Sequence, residues 1–197
     1  MIIPAIDQDG DSTYAFKPSL VGAMCQFTLR PDGLDWQIGR RSGHIRYDRV
    51  RAVRLSYRPV TMQSHRFVTE IWSPDGPKVQ IASVSWRSLV EQQRLDQAYA
   101  AFVTELHRRL AAAGAATQFS TGLPVATYGI GAALSAAVMV AVAIMAVRSA
   151  LAMQWTTAAI VGAFLLVFAW QIGGYFLRNR PGRYRPDAIP PGVMPKL

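Results

Sequence analysis

Apolar residues recur at every second position in the first part of the chain. Cys25, Phe27 and Leu29 alternate with polar residues, a spacing that predicts half-buried strands. Proline, aspartate and glycine separate such runs, first at Pro31-Asp32-Gly33, where proline presets φ and glycine accepts a left-handed conformation. We therefore expect about six or seven short antiparallel strands between residues 25 and 84, which is typical of a small barrel or sandwich.

The apolar spacing changes to three and four residues after Ser85, which predicts an amphipathic helix. Ser88 and Glu91 fit a capping box at its start, and Gly114 follows its last apolar turn. Such a helix is suited to packing on the open end of a barrel. Its apolar stripe consists of Leu95, Tyr99, Phe102, Leu106 and Leu110.

Two long apolar stretches follow, at residues 124–147 and 154–177. A helix rises about 1.5 Å per residue, so each stretch can cross a hydrocarbon core roughly 30 Å thick. Arg148 is the one side chain between Gly114 and Leu177 that is charged at neutral pH, and we expect it in the turn between two transmembrane helices. The sequence thus predicts an α+β chain: a small antiparallel β-barrel or sandwich, a C-terminal amphipathic helix and a two-helix transmembrane hairpin.

These patterns divide the chain into five parts. The divisions are a flexible lead-in at 1–24, a folded domain at 25–114, a linker at 115–123, the hairpin at 124–177 and a basic, proline-rich tail at 178–197. The five prolines of the tail predict an extended, disordered end.

The formal net charge of +9 is spread along the chain and does not indicate nucleic-acid binding. Basic residues directly after a span are a typical cytoplasmic anchor, and aromatic residues mark membrane interfaces. An even number of spans places both termini on one side. We therefore expect a multi-pass protein of the bacterial inner membrane with both termini cytoplasmic. The predicted anchors are Arg178, Arg180, Arg183, Arg185, Trp155, Trp170 and Tyr175.

Small residues concentrate in the first span, with Gly129, Ala133 and Ala137 one helical turn apart. Small side chains let helices approach closely in lipid. Packing within the hairpin is the favoured interpretation of this stripe, and homo-oligomerisation is the alternative.

The order of strands followed by one helix resembles the pleckstrin-homology-like (PH-like) superfold. The stretch from Gly43 to Val53 is similar to a strand of bacterial PH-like domains in which an I-x-Y/W-x-x-I/V pattern leads into the next strand, and the residues around His65 and His107 resemble a proteobacterial branch of membrane proteins. The resemblance covers residues 25–114. It implies a fold and a membrane location, and it carries over neither a catalytic residue nor phosphoinositide binding.

The residues that catalysis or metal binding would need are scattered. His44, His65 and His107 lie in different contexts, and no pair has the spacing of metal ligands. The single cysteine, Cys25, falls in a strand pattern and is expected to be a buried thiol. We therefore predict no enzymatic activity, no cofactor and no metal site.

An arginine-rich segment with one acidic residue, Asp48, is the strongest candidate for binding. Arginine binds carboxylate and phosphate groups through two parallel hydrogen bonds. An ordinary solvated strand face is the other interpretation of this segment, and the residue pattern slightly favours it. The favoured hypothesis is a membrane-anchored interaction module that binds a protein partner or organises a membrane complex. The alternatives are a reader of anionic lipid headgroups and, less favoured, an accessory subunit of a transporter or membrane enzyme. The segment contains Arg40, Arg41, Arg46, Arg49, Arg51, Arg54 and Arg58.

Overall fold

The computed structural model describes residues 11–59, 65–88 and 91–195. The chain forms two compact units, one comprising residues 1–122 and 182–197 and the other residues 123–181. The first unit therefore contains chain from both sides of the second. The predicted flexibility of residues 1–10 lies outside the described residues.

The first unit is built from strands and one helix. In chain order its strands are β1 (Ser12–Phe16), β2 (Cys25–Leu29), β3 (Gly33–Ile38), β4 (Arg41–Arg46), β5 (Ala52–Pro59), β6 (His65–Trp72), β7 (Val79–Ala82), β8 (Val84–Trp86), β9 (Gln92–Arg94), β10 (Gln118–Thr121) and β11 (Gly182–Arg183). A 3-10 turn, Tyr47–Arg49, joins β4 to β5, and a second, Pro191–Val193, lies near the C-terminus.

Strands β1 to β4 form an antiparallel meander in chain order. The predicted alternation is confirmed, because Cys25, Phe27 and Leu29 are buried. The chain also turns at residues 31–33, with the amide of Arg30 donating to the carbonyl of Gly33 at 2.8 Å. The left-handed conformation expected of Gly33 is wrong, because this residue does not have a positive φ and already belongs to β3. A Cβ atom on Gly33 would lie 2.5 Å from the carbonyl oxygen of Ile45, so this close approach of two strands requires glycine.

The second sheet has five strands in the order β11-β10-β5-β6-β7, and β8 and β9 form a separate pair. Pairing is antiparallel except between β10 and β5, which are parallel. Within the described residues, no strand pairing joins one sheet to another. The structure is therefore α+β with separate sheets, and the barrel that the sequence predicts does not close.

Helix α1 (Asp96–Ala112) begins eight residues after the predicted capping serine. Ser88 and Glu91 instead form a turn between β8 and β9, in which the amide of Ser88 donates to the carbonyl of Glu91 at 3.3 Å. The helix starts later because residues 92–94 pair with β8. Its predicted apolar stripe is confirmed by the burial of Leu95, Tyr99, Phe102, Leu106 and Leu110.

Strand β1 belongs to the core, which differs from the flexible lead-in expected for residues 1–24. The side chains of Tyr14 and Phe16 are buried. The ring of Tyr14 lies 5.5 Å from that of Phe102, centroid to centroid, and its hydroxyl donates to the carbonyl of Ala82 at 2.6 Å. Two aromatic anchors thus fix a segment in which the sequence shows no sustained period.

The linker and the tail are also parts of the fold. Residues 118–121 form β10, and Gly182 and Arg183 pair with it as β11. Val193 is 3% exposed and lies in the hydrophobic core. The extended, disordered tail that the prolines predict is wrong for residues 182–195, because apolar side chains between those prolines find a place in the core.

Tyr184 is fixed to α1 through His107, which is 1% exposed. The His107 Nδ1 atom lies 2.7 Å from the carbonyl oxygen of Val103, and Nε2 lies 2.8 Å from the Tyr184 hydroxyl. A carbonyl only accepts, so Nδ1 carries the proton and Nε2 accepts from the tyrosine. The rings of both residues also contact Phe119 of β10.

The second unit consists of two helices, α2 (Val125–Leu151) and α3 (Trp155–Arg178), joined by a turn in which Met153 has a φ of 59°. Their most apolar windows have mean hydropathies of 2.5 and 1.9, and both helices are long and apolar enough to cross a membrane. The ring of Tyr128 meets that of Phe176 edge-on at 5.2 Å. Arg148 lies in the last turn of α2 and not in the connection.

Acidification is predicted to weaken the first unit through His107. Burial lowers the pKa of this imidazole below its usual value near 6.5. The unfolded chain therefore binds the proton first as the pH falls, so stability is complete above about pH 6.5 and decreases below it. Denaturant unfolding of the full chain between pH 7.5 and 5 should show this loss. The loss should be smaller in His107→Gln, and an equal loss in that variant would contradict the assignment.

Candidate functional site

The seven arginines of the predicted patch occupy three places. Arg40 and Arg41 lie at the β3–β4 turn, three others lie at the opposite end of β4, and Arg54 and Arg58 lie on β5. A six-residue strand separates its ends by roughly 16 Å. The sequence-predicted patch is therefore three smaller groups.

The middle group surrounds Asp75. Arg49 holds this carboxylate with two hydrogen bonds, Nε to Oδ2 at 2.8 Å and Nη2 to Oδ1 at 3.0 Å. The hydrogen bond from Arg49 and the nearby charges of Arg49, Arg51 and Arg46 hold the pKa of Asp75 below its usual range. Arg46 also pairs with Asp48 at 2.7 Å. Internal acids thus neutralise part of this group.

The group on β5 is part of a larger cluster, which we call the Glu70 cluster. Residues Arg54, Ser56 and Arg58 of β5 point to the same face as their cross-strand partners on β6, which are Glu70, Val68 and Arg66. The opposite face of these strands carries the buried core residues Val53, Leu55, Phe67 and Ile71. The cluster comprises Arg54, Ser56, Arg58, Arg66, Glu70, Trp72 and Lys78.

Glu70 is the centre of this cluster and is 2% exposed. Its Oε1 atom accepts from Arg58 Nη2 at 3.0 Å and lies 2.7 Å from Lys78 Nζ. The Arg54 guanidinium lies 5.0 Å from the centre of the Trp72 ring, and Lys78 Nζ lies 5.3 Å from it. One carboxylate and one indole therefore fix three half-exposed cations in place.

A second polar surface covers the outer face of the four-stranded sheet. There Arg30 bonds both Asp11 and Asp35, and Asp35 Oδ1 lies 2.6 Å from Nδ1 of His44. The pKa of Asp35 is lowered because the hydrogen bonds from His44 and Arg30 outweigh the opposing effect of burial. Arg30, Asp35 and His44 line a shallow groove of about 450 Å³. Within the described residues, no group of three or more potential ligands could hold a metal ion.

An apolar loop tip lies beside the first arginine group. Val21 is fully exposed and Met24 is 55% exposed, on the loop between β1 and β2. The amide of Gly39 in the β3–β4 turn donates to the carbonyl of Met24 at 3.0 Å, which brings Arg40 and Arg41 next to the loop. Within the described residues, neither arginine forms an ion pair. Exposed apolar side chains thus sit beside two free cations.

The predicted membrane anchors divide between the two units. Trp155 and Trp170 are exposed on α3, and Arg178 ends that helix. Arg183 instead lies in β11, and Arg185 pairs with Asp187 at 3.3 Å in the first unit. Arg180 and Tyr175 lie at the same end of the second unit as Arg178.

The predicted small-residue stripe is not the packing surface of the hairpin. Gly129, Ala133 and Ala137 are exposed, and a Cβ atom on Gly129 would meet nothing within 4 Å. Gly131 instead lies against α3, where an added Cβ would be 3.5 Å from the Phe176 ring. Gly131 follows Gly129 by two residues, which is about half a helical turn, so the predicted stripe faces away from α3.

Sequence reasoning missed Ser56, Arg66, Glu70, Trp72 and Lys78. The available signal was the alternation of polar residues on β5 and β6. It identifies a site only when the register of β5 against β6 is known. It also missed the His107–Tyr184 contact, because the two residues are separated by the whole second unit.

Comparison with known proteins gave no relative for this chain. No family model, no curated protein and no solved structure matches it.

Glu70→Gln is predicted to destabilise the first unit, because Arg58, Lys78 and Arg66 would then face one another without a counter-charge. Removing one partner of a buried ion pair costs up to 3–5 kcal/mol, and half-exposed partners reduce this to about 2 kcal/mol. Asp48→Asn, which breaks an exposed pair, should change the free energy of unfolding by about 0.5 kcal/mol or less. Equal effects of the two variants in denaturant unfolding would contradict the central role of Glu70.

Proposed function

We propose that this chain is a membrane-anchored, non-enzymatic interaction module of the bacterial inner membrane. Its PH-like domain and both termini are cytoplasmic, its apolar helices span the bilayer, and the domain binds a protein partner or organises a membrane complex.

The order of elements supports the PH-like part of the proposal. A four-stranded meander, β1 to β4, precedes a three-stranded meander, β5 to β7, and the amphipathic helix α1 follows. The stretch that resembles bacterial PH-like domains, residues 43–53, runs from β4 through the 3-10 turn into β5.

The observation that carries the proposal is the length of the two connections between the units. Three residues, 122–124, separate β10 from α2, and three residues, 179–181, separate α3 from β11. An extended chain covers at most about 3.5 Å per residue, so each connection spans no more than about 15 Å. Two short connections tether the domain to the apolar helices and raise its effective concentration toward partners in the same membrane.

The bonding of the titratable groups favours binding over catalysis. His107 is buried between Val103 and Tyr184, and Glu70 is held by two cations. Burial raises the pKa of the Cys25 thiol, which keeps it in its unreactive form. Each of these groups has a structural role that accounts for its position.

Lipid binding is a second candidate, favoured by the loop tip. Val21 and Met24 are apolar and exposed, and Arg40 and Arg41 lie next to them. Apolar side chains that enter the interface and cations that meet anionic headgroups act together in membrane binding. This candidate uses two arginines of the original patch and leaves the other five to other roles.

The membrane part of the proposal is tested in cells. We expect the full chain to stay in the membrane fraction after alkaline extraction, and to be digested by protease in inverted vesicles but not in intact spheroplasts. We also expect it to purify from native membranes in mild detergent with a second protein at constant ratio. Release by alkali, digestion from the periplasmic face or purification of the chain alone would contradict the proposal.

The lipid candidate is tested with a fluorescent label at Val21→Cys in a Cys25→Ser chain reconstituted in nanodiscs. Insertion predicts a blue shift and quenching by spin-labelled lipid, stronger with anionic lipid. A label at Asp32→Cys, at the opposite end of β3, is the matched control. Equal behaviour of the two labels would contradict lipid insertion.

A further inference from the structure

We infer that the Glu70 cluster contains an oxyanion site between Arg58 and Arg66, with Ser56 at its base, which receives an acidic side chain of a partner protein. The inference rests on the proposed function and names the chemistry of the partner.

The first observation is an uncompensated pair of like charges. Arg58 and Arg66 lie directly opposite each other on β5 and β6, an arrangement that destabilises a sheet. Glu70 compensates Arg58, but the same Oε1 atom also serves Lys78. Within the described residues, no carboxylate forms an ion pair with Arg66. The acids among the described residues thus leave Arg66 without a counter-charge.

The second observation is a pair of buried polar atoms left without partners. The Nε atom of Arg66 and the Oγ atom of Ser56 are buried, and no group among the described residues bonds either one. Ser56 is 1% exposed. On β5 it is the neighbour of Arg58 on the same face of the sheet, two residues away in sequence. Buried polar groups nearly always have partners. A carboxylate or phosphoryl oxygen between the arginines would accept from both donors once the side chains that cover these two atoms have moved aside.

Burial also acts against the charge of Arg66. Desolvation and the nearby charge of Arg58 lower the pKa of Arg66. An anion bound at this place would reverse both effects, since a counter-charge favours the charged guanidinium. The position of Arg66 is therefore electrostatically unfavourable in the free chain.

The surroundings of the site favour an extended acidic segment over a single ion. Arg54 shares a cross-strand row with Ser120 of β10 and, through it, with the exposed Arg183 of β11. Neighbouring strands are about 4.8 Å apart, so Arg183 and Arg54 are spaced by about 10 Å along this row. Glu70 and Trp72 fix the other cations, and fixed cations suit the defined geometry of a protein better than mobile headgroups.

The test uses the full chain in nanodiscs of zwitterionic lipid and a fluorescein-labelled hexaglutamate peptide, with binding followed by anisotropy at 150 mM salt. We expect binding that Arg66→Gln weakens about tenfold or more, since hydrogen bonds to charged groups are the strong ones. Ser56→Ala should weaken it severalfold. Arg87→Gln, which removes an exposed arginine outside the cluster, is the control and should bind like the wild type.

Thermal unfolding separates a binding role of Arg66 from a structural one. Without peptide, Arg66→Gln should unfold at the same temperature as the wild type or higher, because it removes the repulsion from Arg58. Added peptide should raise the unfolding temperature of the wild type and not of the variant. A variant that loses stability along with binding, or one that binds like the wild type, would overturn the inference.

Two further outcomes show whether a negative result contradicts the protein partner, the membrane anchoring or the site at Arg66. Displacement of the peptide by nanodiscs of anionic lipid would assign the site to headgroups and overturn the protein partner. Every variant should elute with the nanodisc. Loss of that co-elution would contradict the proposed membrane anchoring, whereas unchanged peptide affinity in Arg66→Gln would contradict this inference alone.

Discussion

Pairing between the strand before the hairpin and the strand after it is the constraint on which the other features depend. Strand β10 bonds β5 on one edge and β11 on the other. The backbone groups of β10 are therefore paired on both edges only after β11 forms, and β11 follows sixty residues later in the chain. Tyr184 and Val193 then fill space that residues 11–122 leave open, so the first unit is complete only with chain that follows α3. This closure makes both connections to the hairpin short.

The same sheet carries the charges that we assign to binding. Its inner face is apolar, and its outer face holds Arg54, Arg58, Arg66 and Lys78 around one buried carboxylate. Strand β11 adds Arg183 to this face, so completion of the sheet also extends the basic surface. Elsewhere in the original patch, Arg46 pairs with Asp48, Arg49 pairs with Asp75, and Arg40 and Arg41 lie beside the apolar loop tip. The fold thus places the arginines of one segment on separate surfaces, and each surface has different neighbouring residues.

Local patterns predict the strands and helices well where one face is buried. The alternation at Cys25, Phe27 and Leu29 and the stripe from Tyr99 to Leu110 correspond to buried residues. The predicted helix start is wrong because Ser88 and Glu91 lie between β8 and β9, where they bond each other. The pairing of β8 with β9 prevents a helix from beginning there. The prediction of a disordered tail is wrong because a count of prolines does not show that Val193 is buried in the core. The Glu70 cluster needed the register of β5 against β6, which no local pattern contains.

A comparison of two shortened chains tests the closure of the sheet most directly. Thr121 and Gly182 are cross-strand partners, so a short glycine-containing turn can replace residues 123–181. We predict that this chain folds without lipid and unfolds cooperatively. A chain that ends at Gly122 should be less stable by about 3 kcal/mol or fail to fold, because it loses the burial of Tyr184 and Val193. Equal free energies of unfolding for the two chains would contradict the account.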